Sequence, residues 1–220
     1  MQSMELPGLE RLLDVCQRLN LGLTTSPPAR EPLKAGSLLE GLPFDPVLAS
    51  IYARLGHAAF ATEVMQWALD RFDDPKHGLE ADNKWWRENW WEELGEPVIV
   101  FGGDIYTYAT VPRLADAWGR QPVVEVNTYE YNPKVMPIAS NVDRFFDSYS
   151  RYLEALVSHP RYQESGEKEI QFPWDATEFL SRDERLVELM RAGCFDALMK
   201  NVDDSTHRWA AKVMGTHDAR

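Results

Sequence analysis

The chain has few of the residues on which cross-linking and most catalysis depend. Its 220 residues hold two cysteines, Cys16 and Cys194. They are far apart and lack a CxxC partner, so they read as reduced thiols rather than a disulfide framework or zinc ligands. Histidine is sparse, with five residues and no HExxH pattern; Asp203 and His207 are four apart but read as a solvated helix end. There is no GxSxG elbow, no GxGxxG loop and no Walker motif, and Gly102-Gly103 reads as a hairpin turn. No apolar run approaches the roughly 20 residues of a membrane helix. The opening MQSMELPGLERLL has neither a basic leader nor an apolar signal core. These absences make a soluble, cytoplasmic protein without metal or cofactor the expectation, and a binding protein rather than an enzyme. Basic charge is also short: 23 Lys and Arg stand against 35 Asp and Glu, for a net charge of −12. Such a surface repels phosphate backbones, which argues against direct nucleic-acid binding and for a basic partner, although acidity also serves solubility.

What is present is enough for one sizeable core, since 44% of residues are hydrophobic and 11% aromatic. Leu9, Leu12, Leu13, Cys16 and Leu19 mark an amphipathic helix over 6–20. The prolines of TTSPPAREP (24–32) make a connector. Asp45 as N-cap and Pro46 at the first helical position start a helix that Gly56 is expected to close. Residues 58–69 fit neither period cleanly, so strand and mixed readings stay open. RFDDPKHGLE (71–80) is a polar loop leading into KWWRENWWEEL, whose four tryptophans span too wide an arc for one narrow stripe, so at least one is expected near the surface.

PVIVFGGDIYTYATV (97–111) reads as a β-hairpin: an apolar arm, a Gly-containing turn, and a second arm with Tyr106 and Tyr108 on one face. PVVEV (122–126) is a further strand and residues 127–133 a loop. Ser140 opens a helix carrying Phe145, Phe146, Tyr149 and Leu153. Residues 161–170 read as a charged loop. Helices follow near 177–180, 182–192, 195–200 and 205–214, with Ser181 and Glu184 as a capping box.

Between residues 40 and 95 there are eleven acids and five bases, so half of the excess negative charge lies in one quarter of the chain. Asp73, Asp74, Glu80, Asp82, Glu88, Glu92 and Glu93 interleave with tryptophans there. Tyr106, Tyr129 and Tyr131 lie on or beside the strands. Aromatic anchors beside charge are the make-up of interface hot spots. The opposing reading is a tryptophan-rich core and an ordinary solvated surface. Paired carboxylates among Glu88, Glu92, Glu93 and Asp104 also permit an acidic carbohydrate-active enzyme, but so many acids guarantee coincidental pairs.

The order of elements resembles the SUKH superfamily, the Smi/Knr-type proteins that include many bacterial immunity proteins. The matching features span about 37–157: Leu42-Pro43 before PVLASIYARLG, the Trp/Asn segment, VIVFGGDIYTYA, PVVEV, and ASNVDRFFDSYSRYL with Ser140, Phe145 and Phe146. The turn departs from the family's frequent Asp-Gly in reading Gly102-Gly103-Asp104, and the tail after His159 has no counterpart.

The resemblance implies an α+β fold, one mainly antiparallel sheet with helices packed on it. It also implies a protein that neutralises a cognate toxin, often a nuclease, or a regulatory adaptor without a toxin. The chain then divides into an N-terminal helix and connector (1–36), a SUKH-like core (37–159) and a C-terminal helical extension (160–220). The partner-binding residues expected are Asp73, Asp74, Glu80, Asp82, Glu88, Glu92, Glu93, Tyr106, Tyr129 and Tyr131.

Overall fold

In the computed structural model, residues 4–65, 67–72, 74–103, 106–129 and 133–216 are described. The chain runs through α1 (Pro7–Arg18), β1 (Leu23–Ser26), a small hairpin of β2 (Leu38–Leu39) and β3 (Leu42–Pro43), α2 (Pro46–Tyr52), β4 (His57–Phe60) and β5 (Trp67–Leu69). It continues with α3 (Leu79–Asn89), α4 (Trp91–Leu94), β6 (Ile99–Gly103), β7 (Thr107–Thr110), a 3-10 turn at Pro112–Leu114, β8 (Val123–Asn127) and β9 (Lys134–Ala139). Then come α5 (Val142–Ser158), α6 (Pro160–Ser165), α7 (Thr177–Leu180), α8 (Glu184–Arg191) and α9 (Asp204–Met214). Seven strands form one antiparallel sheet in the order β1-β4-β5-β6-β7-β8-β9. The fold is therefore α+β, with helices packed on a single sheet.

The hairpin of β6 and β7 lies at the centre of this sheet, and a register shift between Val100 and Gly102 marks a bulge in its first arm. Gly102 is required by space: a Cβ there would stand 2.3 Å from the Ala68 carbonyl oxygen of β5. Both faces of the sheet are covered. Tyr108 and Glu125 are cross-strand partners on one face, Ala109 and Val124 on the other, and all four are buried. The ambiguous stretch 58–69 resolves into the two strands β4 and β5.

Helix α5 covers the tyrosine face. Phe145 lies 4.8 Å from Tyr108 and 5.6 Å from Trp67; Phe146 lies 5.4 Å from Trp67 and 5.8 Å from Phe60. Such ring pairs contribute about 0.5–1.5 kcal/mol each beyond the area they bury. Phe172 extends the cluster at 5.3 Å from Tyr149 and 5.5 Å from Tyr152. Trp209 of α9 then donates its indole N–H to the Pro173 carbonyl at 3.0 Å, which ties the C-terminal helices to the same core.

Helix α1 lies against α5. The Asp143 carboxylate accepts from the Gly8 and Leu9 amides at 3.1 and 3.0 Å, occupying two of the orphan donors at the start of α1. A Cβ on Gly8 would come 1.9 Å from the Asp143 carbonyl oxygen, so only glycine permits this approach. Arg18 and Arg11 both pair with Glu154 across the same interface.

Several local expectations change. The connector holds an edge strand, β1, because Pro27 and Pro28 follow it rather than interrupt it. Residues 134–139, which no sequence pattern marks, form strand β9: it is buried on both faces, so it shows no alternation, and its Pro137 is tolerated because β9 is the last strand of the sheet. Residues 160–165 form a short helix instead of a charged loop, and 195–200 form turns instead of a helix. Asp45 caps α2 as expected, but the helix ends at Tyr52, well before Gly56. The caps of α5 and α8 are Asn141 and Asp183 rather than Ser140 and Ser181, each accepting from the amide three residues on. Among the described residues, no helix is long and apolar enough to cross a membrane.

Two buried polar groups at the sheet bear on its stability. Asn83 of α3 donates its amide to the carbonyls of Leu79 and Val100 at 2.7 and 2.8 Å and accepts from the Val100 N–H at 2.8 Å. The helix thereby completes strand β6 at a residue that β5 does not reach. Replacing Asn83 by Ala is expected to lower stability by about 2 kcal/mol or more, because two buried backbone groups of Val100 lose their partner; urea titration measures it.

Glu125 is buried, with Oε2 lacking a hydrogen-bond partner. Burial pushes its carboxyl from an ordinary 4.5 to about 8, and the adjacent Tyr108 hydroxyl offsets this only in part. The folded protein thus keeps a proton that the unfolded chain releases. The stability tied to Glu125 is full below pH 4.5, declines as pH rises, and is lost once pH passes about 8. Glu125→Gln is expected to flatten that decline, leaving the variant more stable than the native chain at pH 8; thermal melts between pH 5 and 9 measure it.

Candidate functional site

The acidic segment folds into α3 and α4, joined at Trp90. Their apolar side faces inward: Leu79, Asn83, Trp86 and Leu94 are buried, and Trp90 and Trp91 are half-buried. Trp91 donates its indole N–H to the Val98 carbonyl at 3.1 Å, which fastens α4 to the chain entering β6. Trp85 is left outside at 52% exposure, its ring 6.2 Å from Trp86 and 6.5 Å from Trp90. A tryptophan braced by two others and open to solvent is a rigid apolar contact point.

An open cleft of about 440 Å³ lies beside Trp85, lined also by Glu40, Glu80, Lys84 and Glu88. Part of its charge is already engaged. Glu80 pairs with Arg30 at 3.2 Å, Glu40 with Arg87 at 2.5 Å, and Glu88 with Arg87 at 3.7 Å. On α4, Glu92 and Glu93 are exposed and make no ion pair among the described residues. Both are open to an incoming cation.

A second acidic group sits where β5 runs toward α3. Asp70 is raised to about 7 by burial first and by the nearby Asp82 charge second. Asp82 is itself raised, mainly by burial, while His77 opposes the shift. Asp74 is lowered, because its carboxylate accepts from the Lys76 and His77 amides. No group of three or more His, Cys, Asp or Glu with metal-holding geometry occurs among the described residues.

The expected site residues therefore separate. Glu80, Asp82, Glu88, Glu92 and Glu93 lie on α3 and α4, and Asp74 lies in the loop before them. Tyr106 is half-buried in the β6–β7 connection, and Tyr129 is 74% exposed in the β8–β9 connection. The antiparallel register puts both connections at the end of the sheet where β6 finishes, whereas α4 leads into its start. The tyrosines are thus not brought to the acidic helices. Tyr108, which shares a face with Tyr106 by period, is core, because α5 covers that face rather than its reverse. Asp73 and Tyr131 fall outside the described residues.

Sequence reasoning missed Trp118, which is 75% exposed in the β7–β8 connection with the Arg120 guanidinium over its ring at 4.8 Å. The signal was there in Asp116 and Gly119: the Asp116 carboxylate accepts from the Trp118 and Arg120 amides, and Gly119 takes a positive φ, a turn that holds the indole outward.

Comparison of the chain with protein-family models, with curated proteins and with solved structures finds no match. The likeness to the SUKH superfamily rests on the sequence motifs alone.

Removing the Asp82 charge by Asp82→Asn is expected to lower the Asp70 titration midpoint from near 7 while leaving it above the ordinary carboxylate range, since burial is the larger cause. Carbon-detected NMR titration of the aspartate carboxyls reads this directly.

Proposed function

We propose that this chain is a cytoplasmic immunity protein of SUKH type, which neutralises a basic toxin, a nuclease in the simplest case, by stoichiometric occlusion. The observation that carries the reading is the exposed Glu92–Glu93 pair on α4, without an ion pair among the described residues, next to the helix that carries the braced and exposed Trp85. Acids without internal partners steer a cationic surface and pair with it at little cost in broken contacts. Trp85 supplies the apolar anchor around which such pairs become effective. Inhibition of this kind needs association and no chemistry, which agrees with a chain whose sequence offers no catalytic motif. The contact surface is α3, α4 and the Asp74 loop. Tyr106 and Tyr129 would join it only with a partner large enough to reach across the sheet.

The test is co-expression with the product of the neighbouring reading frame, where that product ends in a nuclease-like domain. The chain is expected to rescue growth and to form a one-to-one complex. Glu92→Lys combined with Glu93→Lys is expected to slow association about tenfold or more at low salt, to weaken the salt dependence, and to leave the circular dichroism spectrum unchanged. Failure to rescue, or association kinetics indifferent to the double reversal, refutes this use of α4.

A further inference from the structure

The acidic helices do not account for a second concave feature. A cavity of about 520 Å³ opens between the β7–β8 connection, the start of α5 and the start of α8. Four arginines line it, Arg120, Arg144, Arg182 and Arg185, and its walls are otherwise polar apart from Leu114 and Leu189. In a chain of net charge −12 this is an unexpected gathering of guanidinium groups.

Four carboxylates share these walls, but they are not equally able to answer the arginines. Asp183 is spent on the Ser140 and Leu186 amides at 2.7 and 3.1 Å. Asp116 accepts from the Trp118 and Arg120 amides and from the Arg120 side chain. Glu188 pairs with Arg185 at 3.1 Å, and Glu184 remains. On the cationic side, Arg182 finds its partner in Glu178, which is not part of the cavity wall. Arg144 makes no hydrogen bond or ion pair through its guanidinium among the described residues. The wall's charges thus balance, four arginines against four carboxylates, and the Arg144 guanidinium is the one left without a partner among the described residues.

The placement of these arginines is also unfavourable in an empty site. Arg144 is the third residue of α5 and Arg185 the second of α8. Both lie in first turns, where the helix dipole disfavours cations. The Asp183 carboxylate already caps α8 and accepts from the Ser140 amide, and a second anion beside it would offset the remaining penalty at Arg144 and accept from its free guanidinium. A carboxylate offers two oxygens. A phosphate offers three, which suits guanidiniums arriving from two connections and two helices. The volume is far larger than a bare phosphate needs, and its polar walls suit a hydroxyl-rich body. The overall negative charge does not forbid this, because charges beyond a Debye length of about 8 Å are largely screened.

We propose that this cavity binds a small soluble phosphate ester with a polar body, of the sugar-phosphate class, its phosphate held by Arg144 together with Arg120, Arg182 and Arg185. The site is independent of the acidic helices.

Calorimetric titration of the full chain at constant ionic strength tests it, with glucose 6-phosphate and inorganic pyrophosphate as probes and glucose as the uncharged comparison. Saturable binding of both phosphate compounds and none of glucose is expected. Arg144→Gln is expected to weaken binding at least tenfold without changing the melting temperature. Arg161→Gln, at an exposed arginine paired with Glu167 and Glu169 and not part of the cavity wall, is expected to leave binding unchanged. Absence of saturable phosphate binding, native affinity in Arg144→Gln, or an equal loss in Arg161→Gln would overturn the proposal.

Discussion

The packing of α5 across the sheet is the constraint from which most of the structure follows. Phe145 and Phe146 enter a bed made by Phe60, Trp67, Phe101 and Tyr108, residues drawn from four different strands. Those strands cannot shift register without moving a large ring to the opposite face. The same helix holds α1 through Asp143, and the C-terminal region closes over it through Phe172. Helices before and after the sheet in sequence are thus secured to one element.

That arrangement also decides what is left for binding. With Tyr108 under α5, the aromatic face of the central hairpin is used up as core. The surface left at the periphery includes α3 and α4, which bury Trp86, half-bury Trp90 and Trp91, leave Trp85 outside and turn acids outward. Asn83 makes this possible: by completing β6 from a helix, it fixes α3 to the sheet without using any outward-facing group. The charge of the molecule is accordingly unevenly distributed. Glu92 and Glu93, without an ion pair among the described residues, stand on α4, while arginines and carboxylates in equal number face one another between the starts of α5 and α8.

Much of the scaffold was legible in the sequence because it obeys local rules. The Asp45-Pro46 start of α2, the hairpin around Gly102-Gly103, the strand at PVVEV and the apolar stripes of α1 and α5 each carry a period or a cap within a few residues. The losses have physical causes. Strand β9 is buried on both faces and so shows no alternation, and β1 hides beside prolines that tolerate it at an edge. Asp143, which resembles part of α5's own cap, instead serves the start of α1, a partner more than 130 residues away. For the candidate site, the sequence reading grouped the acids of α3 and α4 with tyrosines that the sheet holds at its other end.

The sequence by itself determined composition, net charge, the amphipathic faces and the chain's α+β alternation, because these depend on residue type and near-neighbour spacing. Tertiary structure alone decided which tryptophan faces solvent, which glutamates lack a partner, and that Glu125 is buried with an oxygen unsatisfied. Those properties depend on residues distant in the chain: Arg30 reaching Glu80, Arg87 reaching Glu40, and α5 lying over one face of the sheet rather than the other.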